Sequence, residues 1–175
     1  MKKITICLIA VLTISSCSIK TIPLKNDYSH KPFEFKTTSS FEDVWTKTIE
    51  LFAKEGIGIK LIDKSSGLII AQNNYADLTT EDNNGKLINP KAYGVTDKLF
   101  YQASNKYYYP KLGEMQWNIF IKRNNDNGCT ININVIEIVT SSLYTTKGNS
   151  TPIIGEKKKA YSLGVFEKQI ANEIK

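Results

Sequence analysis

Three cysteines carry the most reactive side chains in this 175-residue chain, and one of them sits at a boundary that suggests its chemistry. The stretch "LTISSC" passes from an apolar run through two small serines to Cys17. A thiolate is the strongest nucleophile among ordinary side chains, so a thiol placed there can take a group onto sulfur. Cys7 lies inside the apolar run itself, and Cys129 lies in a strand-like stretch, where a free buried cysteine acts as a small hydrophobe. The single histidine, His30, stands beside Pro32 in polar sequence, so no Ser-His-Asp or Cys-His arrangement can be drawn around it. The chain has no metal-spaced His/Cys cluster, no glycine-rich phosphate loop and no nucleophile elbow. We therefore expect no catalytic residues, no metal and no cofactor.

Oxygen and ring chemistry remain. "DLTTEDNNG" groups Asp77, Glu81 and Asp82 with Asn83 and Asn84, the ligand types a hard cation takes. The spacing does not fit a calcium loop, so a plain polar loop is expected. A carboxylate pair for hydrolysis can come from anywhere in a chain, and a carboxylate-dependent hydrolase is carried as the alternative function. The stretch 74–111 is polar yet holds Tyr93, Phe100, Tyr101, Tyr107, Tyr108 and Tyr109. Tyrosine offers rigid area with a polar tip and is enriched at recognition surfaces. Tyr107, Tyr108 and Tyr109, flanked by Lys106 and Lys111, form the candidate partner-binding patch. Three consecutive residues of an extended chain cannot all face one way, so at least one ring should point outward.

The elements that position Cys17 are legible. Lys2 and Lys3 precede Ile4–Ile14, an apolar run of eleven residues. A spanning helix needs about 20, so the run reads as a signal peptide. "ISSC" in that context resembles the lipobox of bacterial lipoproteins. The resemblance implies a diacylglycerol thioether on Cys17 and cleavage before it. Residues 1–16 would leave, and 17–32 would be a flexible tether reaching roughly 20 Å. The same resemblance implies a bacterial envelope protein held to the membrane by lipid, here expected on the outer membrane facing the periplasm. An envelope protein is the expected partner, ahead of a glycan or a lipid head group. The net charge of +6 is spread over many sites, and the one lysine run, Lys157 to Lys159, reads as a solvated face, so nucleic acid is not expected.

Residues 33–175 are expected to fold as one α+β domain. Phe33 and Phe35 alternate with charge, as in a short strand. Ser39 and Ser40 each precede an acid by three residues, and Phe41, Val44, Trp45, Thr48, Ile49 and Phe52 share one face, so residues 41–55 should be a helix ending at Gly56. Ile57, Ile59 and Leu61, then "LIIAQN", make a hairpin around an Asp63–Gly67 turn. A second hairpin should turn at Asn127-Gly128, with Met115, Trp117, Ile119 and Ile121 facing Cys129, Ile131, Ile133 and Val135, and a bulge at Val135-Ile136. Leu163, Phe166, Ile170 and Ile174 place a last helix. The order is strand, helix, hairpin, insert, hairpin, helix, giving an antiparallel sheet with two helices on one face. "FEDVWTKTIELFAKEGIGIKLIDKSSGLIIAQ" is similar to the helix-grip domains of the lipoprotein subunit of the β-barrel assembly machinery. It also resembles uncharacterised envelope lipoproteins with a TATA-binding-protein-like fold. The resemblance implies that fold; the expected role, a non-catalytic binding or scaffold module, follows from finding no reacting constellation in the sequence.

Overall fold

The first helix forms where its local signals place it. Ser40 stays extended, and its hydroxyl accepts the Asp43 N–H at 3.2 Å. Helix α1 (Phe41–Glu55) then runs to Gly56, whose left-handed backbone lets its N–H reach the Ala53 and Phe52 carbonyls. Its apolar stripe buries Phe41, Val44, Trp45, Thr48, Leu51 and Phe52. The computed structural model describes residues 19–28, 32–102, 105–140 and 160–174. Cys7, Cys17, His30 and the run Lys157 to Lys159 lie outside them. Within them the protein is α+β, with mostly strands and two helices.

Three long antiparallel strands form the centre of the main sheet: β4 (Leu68–Thr79), β8 (Leu112–Arg123) and β9 (Cys129–Thr140). Strand β2 (Phe33–Thr37) pairs with the first half of β9, and β3 (Gly58–Asp63) with the first half of β4. Period-2 alternation turns Met115, Trp117, Ile119 and Ile121 to the core, together with Ile69, Ala71, Cys129, Ile131 and Ile133. Helix α2 (Val165–Ile174) adds Phe166, Ile170 and Ile174 to the same cluster as α1. The Phe166 ring lies 4.3 Å from Trp117 and 5.9 Å from Phe52, so it joins both helices to the sheet.

The bulge falls where the sequence slips. Gln116 opposes Glu137 while Trp117 opposes Val135, which leaves Ile136 as the extra residue. The β8–β9 turn is longer than a two-residue hairpin: it spans 124–128 and is closed by the Asn124 N–H on the Gly128 carbonyl at 2.8 Å. Gly128 serves a close approach to β2, since a Cβ there would sit 2.4 Å from the Thr37 carbonyl oxygen.

Three features differ from expectation. The sheet is mixed, not wholly antiparallel. Strand β4 continues past Asn73 to Thr79, into the stretch expected as insert, and pairs in parallel with β5 (Gly94–Thr96), which carries β10 (Ala160–Ser162) on its other side. A register shift between Asn73 and Ala76 breaks the alternation there, so the continuing strand reads as polar loop. Next, Ile59 and Leu61 are not core residues. Only Ile57 is buried, and all of β3 is exposed, because among the described residues it pairs with β4 alone. Finally, part of the expected tether is ordered. Strand β1 (Ile19–Ile22) pairs with β6 (Lys98–Tyr101), and β6 with β7 (Lys106–Tyr108), making a separate three-stranded antiparallel sheet. The insert is thus built of strands, and the order strand, helix, hairpin, insert, hairpin, helix gains β1 at its start and β10 before α2.

Candidate functional site

The small sheet holds the tyrosine cluster. Its register aligns Lys20, Phe100 and Tyr107 in one cross-strand row, and Thr21, Leu99 and Tyr108 in the next. Alternation sends these rows to opposite faces. Leu99 is buried and Tyr108 half-buried, whereas Tyr107 is 53% exposed. The rings of Phe100 and Tyr107 lie 5.0 Å apart, and the Lys98 ammonium sits 5.1 Å from the Tyr107 ring centroid. Lys98 is buried, and its Nζ donates to the Glu81 carbonyl at 3.1 Å and to Asn83 Oδ1 at 3.2 Å. That leaves a cation held against a ring whose other side meets solvent, a favourable charge–quadrupole arrangement. Lys106 is exposed at the head of β7, opposite Tyr101. Tyr109 is half-buried, and Lys111 is exposed but lies beyond Pro110, where its carbonyl accepts the Leu78 N–H at 2.7 Å. The sequence-proposed five are therefore not one patch. Tyr107 joins Phe100, Lys98 and Lys20, and Lys111 stands apart. Tyr93, from the same stretch, turns inward with its edge toward Trp117 and Phe166.

The sequence places Glu81 in a plain polar loop, but the structure buries it. It is only 2% exposed, and its carboxylate holds the N-terminal segment to the sheet. Oε2 accepts the Lys25 N–H at 2.5 Å, and Oε1 accepts the Asn26 N–H at 3.1 Å, Asn26 Nδ2 at 2.6 Å and the Tyr28 hydroxyl at 2.9 Å. The Leu24 N–H donates to Asp97 Oδ1 at 3.0 Å alongside. Two of the Glu81 donors are backbone amides, which no residue type advertises. Burial disfavours the charged carboxylate, but the Lys25 amide, the Tyr28 hydroxyl and both Asn26 donors outweigh it, so Glu81 stays below the ordinary glutamate value. Its neighbours are occupied too. The Asp82 carboxylate accepts the Lys86 N–H at 2.9 Å and the Asn84 N–H at 2.8 Å, and those amides lower its pKa. Glu81 and Asp82 of "DLTTEDNNG" thus accept from protein donors, and among the described residues no group of three His, Cys, Asp or Glu could hold a metal.

The sign of this shift sets a pH window. A depressed folded value means that the Glu81 contribution is present above the ordinary glutamate pKa, about 4.3, and is lost as pH falls through the lower folded value. The protection of the amides of residues 20–26, measured against the intrinsic exchange rate at each pH, should therefore be high at neutral pH and fall below about pH 4, ahead of the core amides. Glu81→Ala should remove that protection at neutral pH, at a local cost of about 2–3 kcal/mol for charge-assisted bonds. Protection unchanged in the variant would show that the pairing of β1 with β6 alone holds the segment.

A cleft between the second half of β9 and β10 brings two acids near each other. Glu137 lines it from β9 and Glu167 from the first turn of α2, with Tyr28, Phe33 and Tyr161. Glu167 is 4% exposed; its Oε1 accepts the Ser162 hydroxyl at 2.8 Å, and its Oε2 is buried with no partner. Ser162 Oγ in turn accepts the Gly164 N–H at 3.1 Å, so this carboxylate fixes the entry into α2. Cys129 is buried in the core, and burial pushes its thiol pKa up, against the reactive thiolate. Among the described residues no helix is long and apolar enough to cross a membrane. No model of a known protein family matches the chain, and no curated protein matches it.

Proposed function

We propose that the chain is a lipid-anchored lipoprotein of the bacterial envelope whose folded part binds and does not catalyse. One observation carries the reading: a row of one lysine and two rings in tilted contact, with Lys20 and Tyr107 exposed, stands on a sheet whose first strand begins two residues after Cys17. The recognition surface and the anchoring cysteine are then parts of one short segment. In this reading the core β2–α1–β3–β4–β8–β9–α2 is a helix-grip, TATA-binding-protein-like unit with the small sheet inserted between β4 and β8. The interposition of α1 between β2 and the β3–β4 hairpin supports it. The expected site is the outer membrane facing the periplasm, with an envelope protein as partner. The anchoring test is direct. Cys17→Ala should abolish incorporation of a fatty-acid analogue and release the chain from membranes. Equal labelling of wild type and variant would end the lipoprotein reading.

A hydrolase remains the second reading, because Glu137 and Glu167 line one cleft. The geometry weighs against it. One oxygen of Glu167 is engaged by Ser162 and the other has no accessible surface, so neither faces a substrate. Turnover of glycan oligomers by the wild-type chain, lost in both Glu137→Gln and Glu167→Gln, would replace binding by catalysis.

A further inference from the structure

The chain between Cys17 and the small sheet is a single residue, Ser18. An extended chain advances at most about 3.6 Å per residue, so the Cα of Ile19 lies within about 7 Å of that of Cys17. From Ile19 onward there is no slack. Strand β1 is paired to β6 along all four of its residues, and the Glu81 carboxylate fixes Lys25 and Asn26 just beyond. A lipid on Cys17 would hold this sheet itself at the membrane, with no tether between.

The sheet has the surface such a position requires. Lys20 and Tyr107 are exposed, with Phe100 half-buried between them in the same row, and exposed Lys106 begins the edge strand. Aromatic rings with polar tips settle at the level of lipid head groups, and lysines beside them reach phosphates. The segments 19–28 and 98–111 carry five lysines, and Asp27, Glu81, Asp82 and Asp97 offset most of that charge, but the exposed row itself holds Lys20 and no acid. That row thus presents positive charge to an anionic surface. We infer that the β1–β6–β7 sheet docks on the anionic lipid head groups of the membrane that holds the chain, with Tyr107 and Phe100 at the interface and Lys20, from the same row, on a lipid phosphate. The inference rests on the anchoring reading and turns the lipid from a leash into one of two contacts that orient the domain.

The test uses the full acylated chain in vesicles of phosphatidylcholine and phosphatidylglycerol with brominated acyl chains, which quench tryptophan at short range. The two native tryptophans, Trp45 and Trp117, are buried and give a silent background. Tyr107→Trp keeps an aromatic ring and reports on its depth. Its emission should be quenched beyond wild type. The excess should shrink in Lys20→Gln, in vesicles of phosphatidylcholine alone, and at 1 M salt, where charge acts over only about 3 Å, and should persist in Lys106→Gln, from the opposite face. Mass measurement of the Cys17 peptide separates the failures. An acylated chain with no excess quenching overturns the docking while the anchor stands. An unacylated chain overturns the anchor and the docking with it. Excess quenching that vanishes when an envelope protein binds at Tyr107 gives the surface to that protein instead.

Discussion

Replacing Trp117 by alanine is expected to remove about 3–5 kcal/mol of stability, the largest loss of any single change in the sheet. The indole is fully buried, stands 4.3 Å from Phe166 and meets Tyr93 edge-on at 6.5 Å. It is the contact through which α2 rests on β8, so the space left behind cannot close without moving a helix. Against a typical total of about 5–15 kcal/mol, that brings the fold near its limit. One detail refines the forecast. Trp117 Nε1 is buried with no hydrogen-bond partner, and an unmade bond of this kind costs about 1–3 kcal/mol. Trp117→Phe removes the orphan donor and keeps most of the ring, so it should lie within about 1 kcal/mol of wild type. Urea melting of both variants checks the pair. Equal losses from alanine and phenylalanine would mean that the N–H has a partner after all.

Gly67→Ala should cost about 2–5 kcal/mol, combining a left-handed backbone penalty of about 1–2 with overpacking of about 1–3. Gly67 closes the β3–β4 turn at φ 76°, and a Cβ there would fall 2.1 Å from the Ile121 carbonyl oxygen. The same glycine accepts the Ile121 N–H at 2.9 Å. The intruding methyl therefore pushes on backbone that is already bonded, with no flexible side chain to yield. Gly56→Ala is the control. Its φ is 66°, yet nothing lies within 4 Å of the added Cβ, so it should show the conformational penalty alone, about 1 kcal/mol. Comparable losses at both positions would remove the steric part of the argument.

What the sequence revealed was local. Ser40, Asp43 and Gly56 bracket α1 within one stretch, and a broken alternation at Val135-Ile136 marks a bulge, because both signals come from neighbours along the chain. What it hid was non-local. Strand β1 is four residues with no clean alternation, beside Pro23, and its partner lies beyond residue 97. Ile59 and Leu61 read as core because alternation reports a pleat and not what covers it, and both are exposed. The site divides the same way. Tyrosine-rich composition drew attention to Tyr107. Its association with Phe100, Lys98 and Lys20 depends on a cross-strand register that only pairing fixes. Glu81 looked like a loop acid because its donors, half of them main-chain amides, lie 53–56 residues away along the chain.

The pairing of β1 with β6 also sets a timetable. A chain made and moved from its N-terminus shows Ile19–Ile22 first, while the Asp97 that receives the Leu24 N–H follows 73 residues later. At synthesis rates of roughly 5–20 residues per second, that gap lasts roughly 4–15 s. Throughout it, β1 has nothing to pair with. Once Tyr101 arrives, the strand zips shut. The late strand thus works as a timer: for seconds Ile19–Ile22 is open to any other partner, and afterwards its edge is taken.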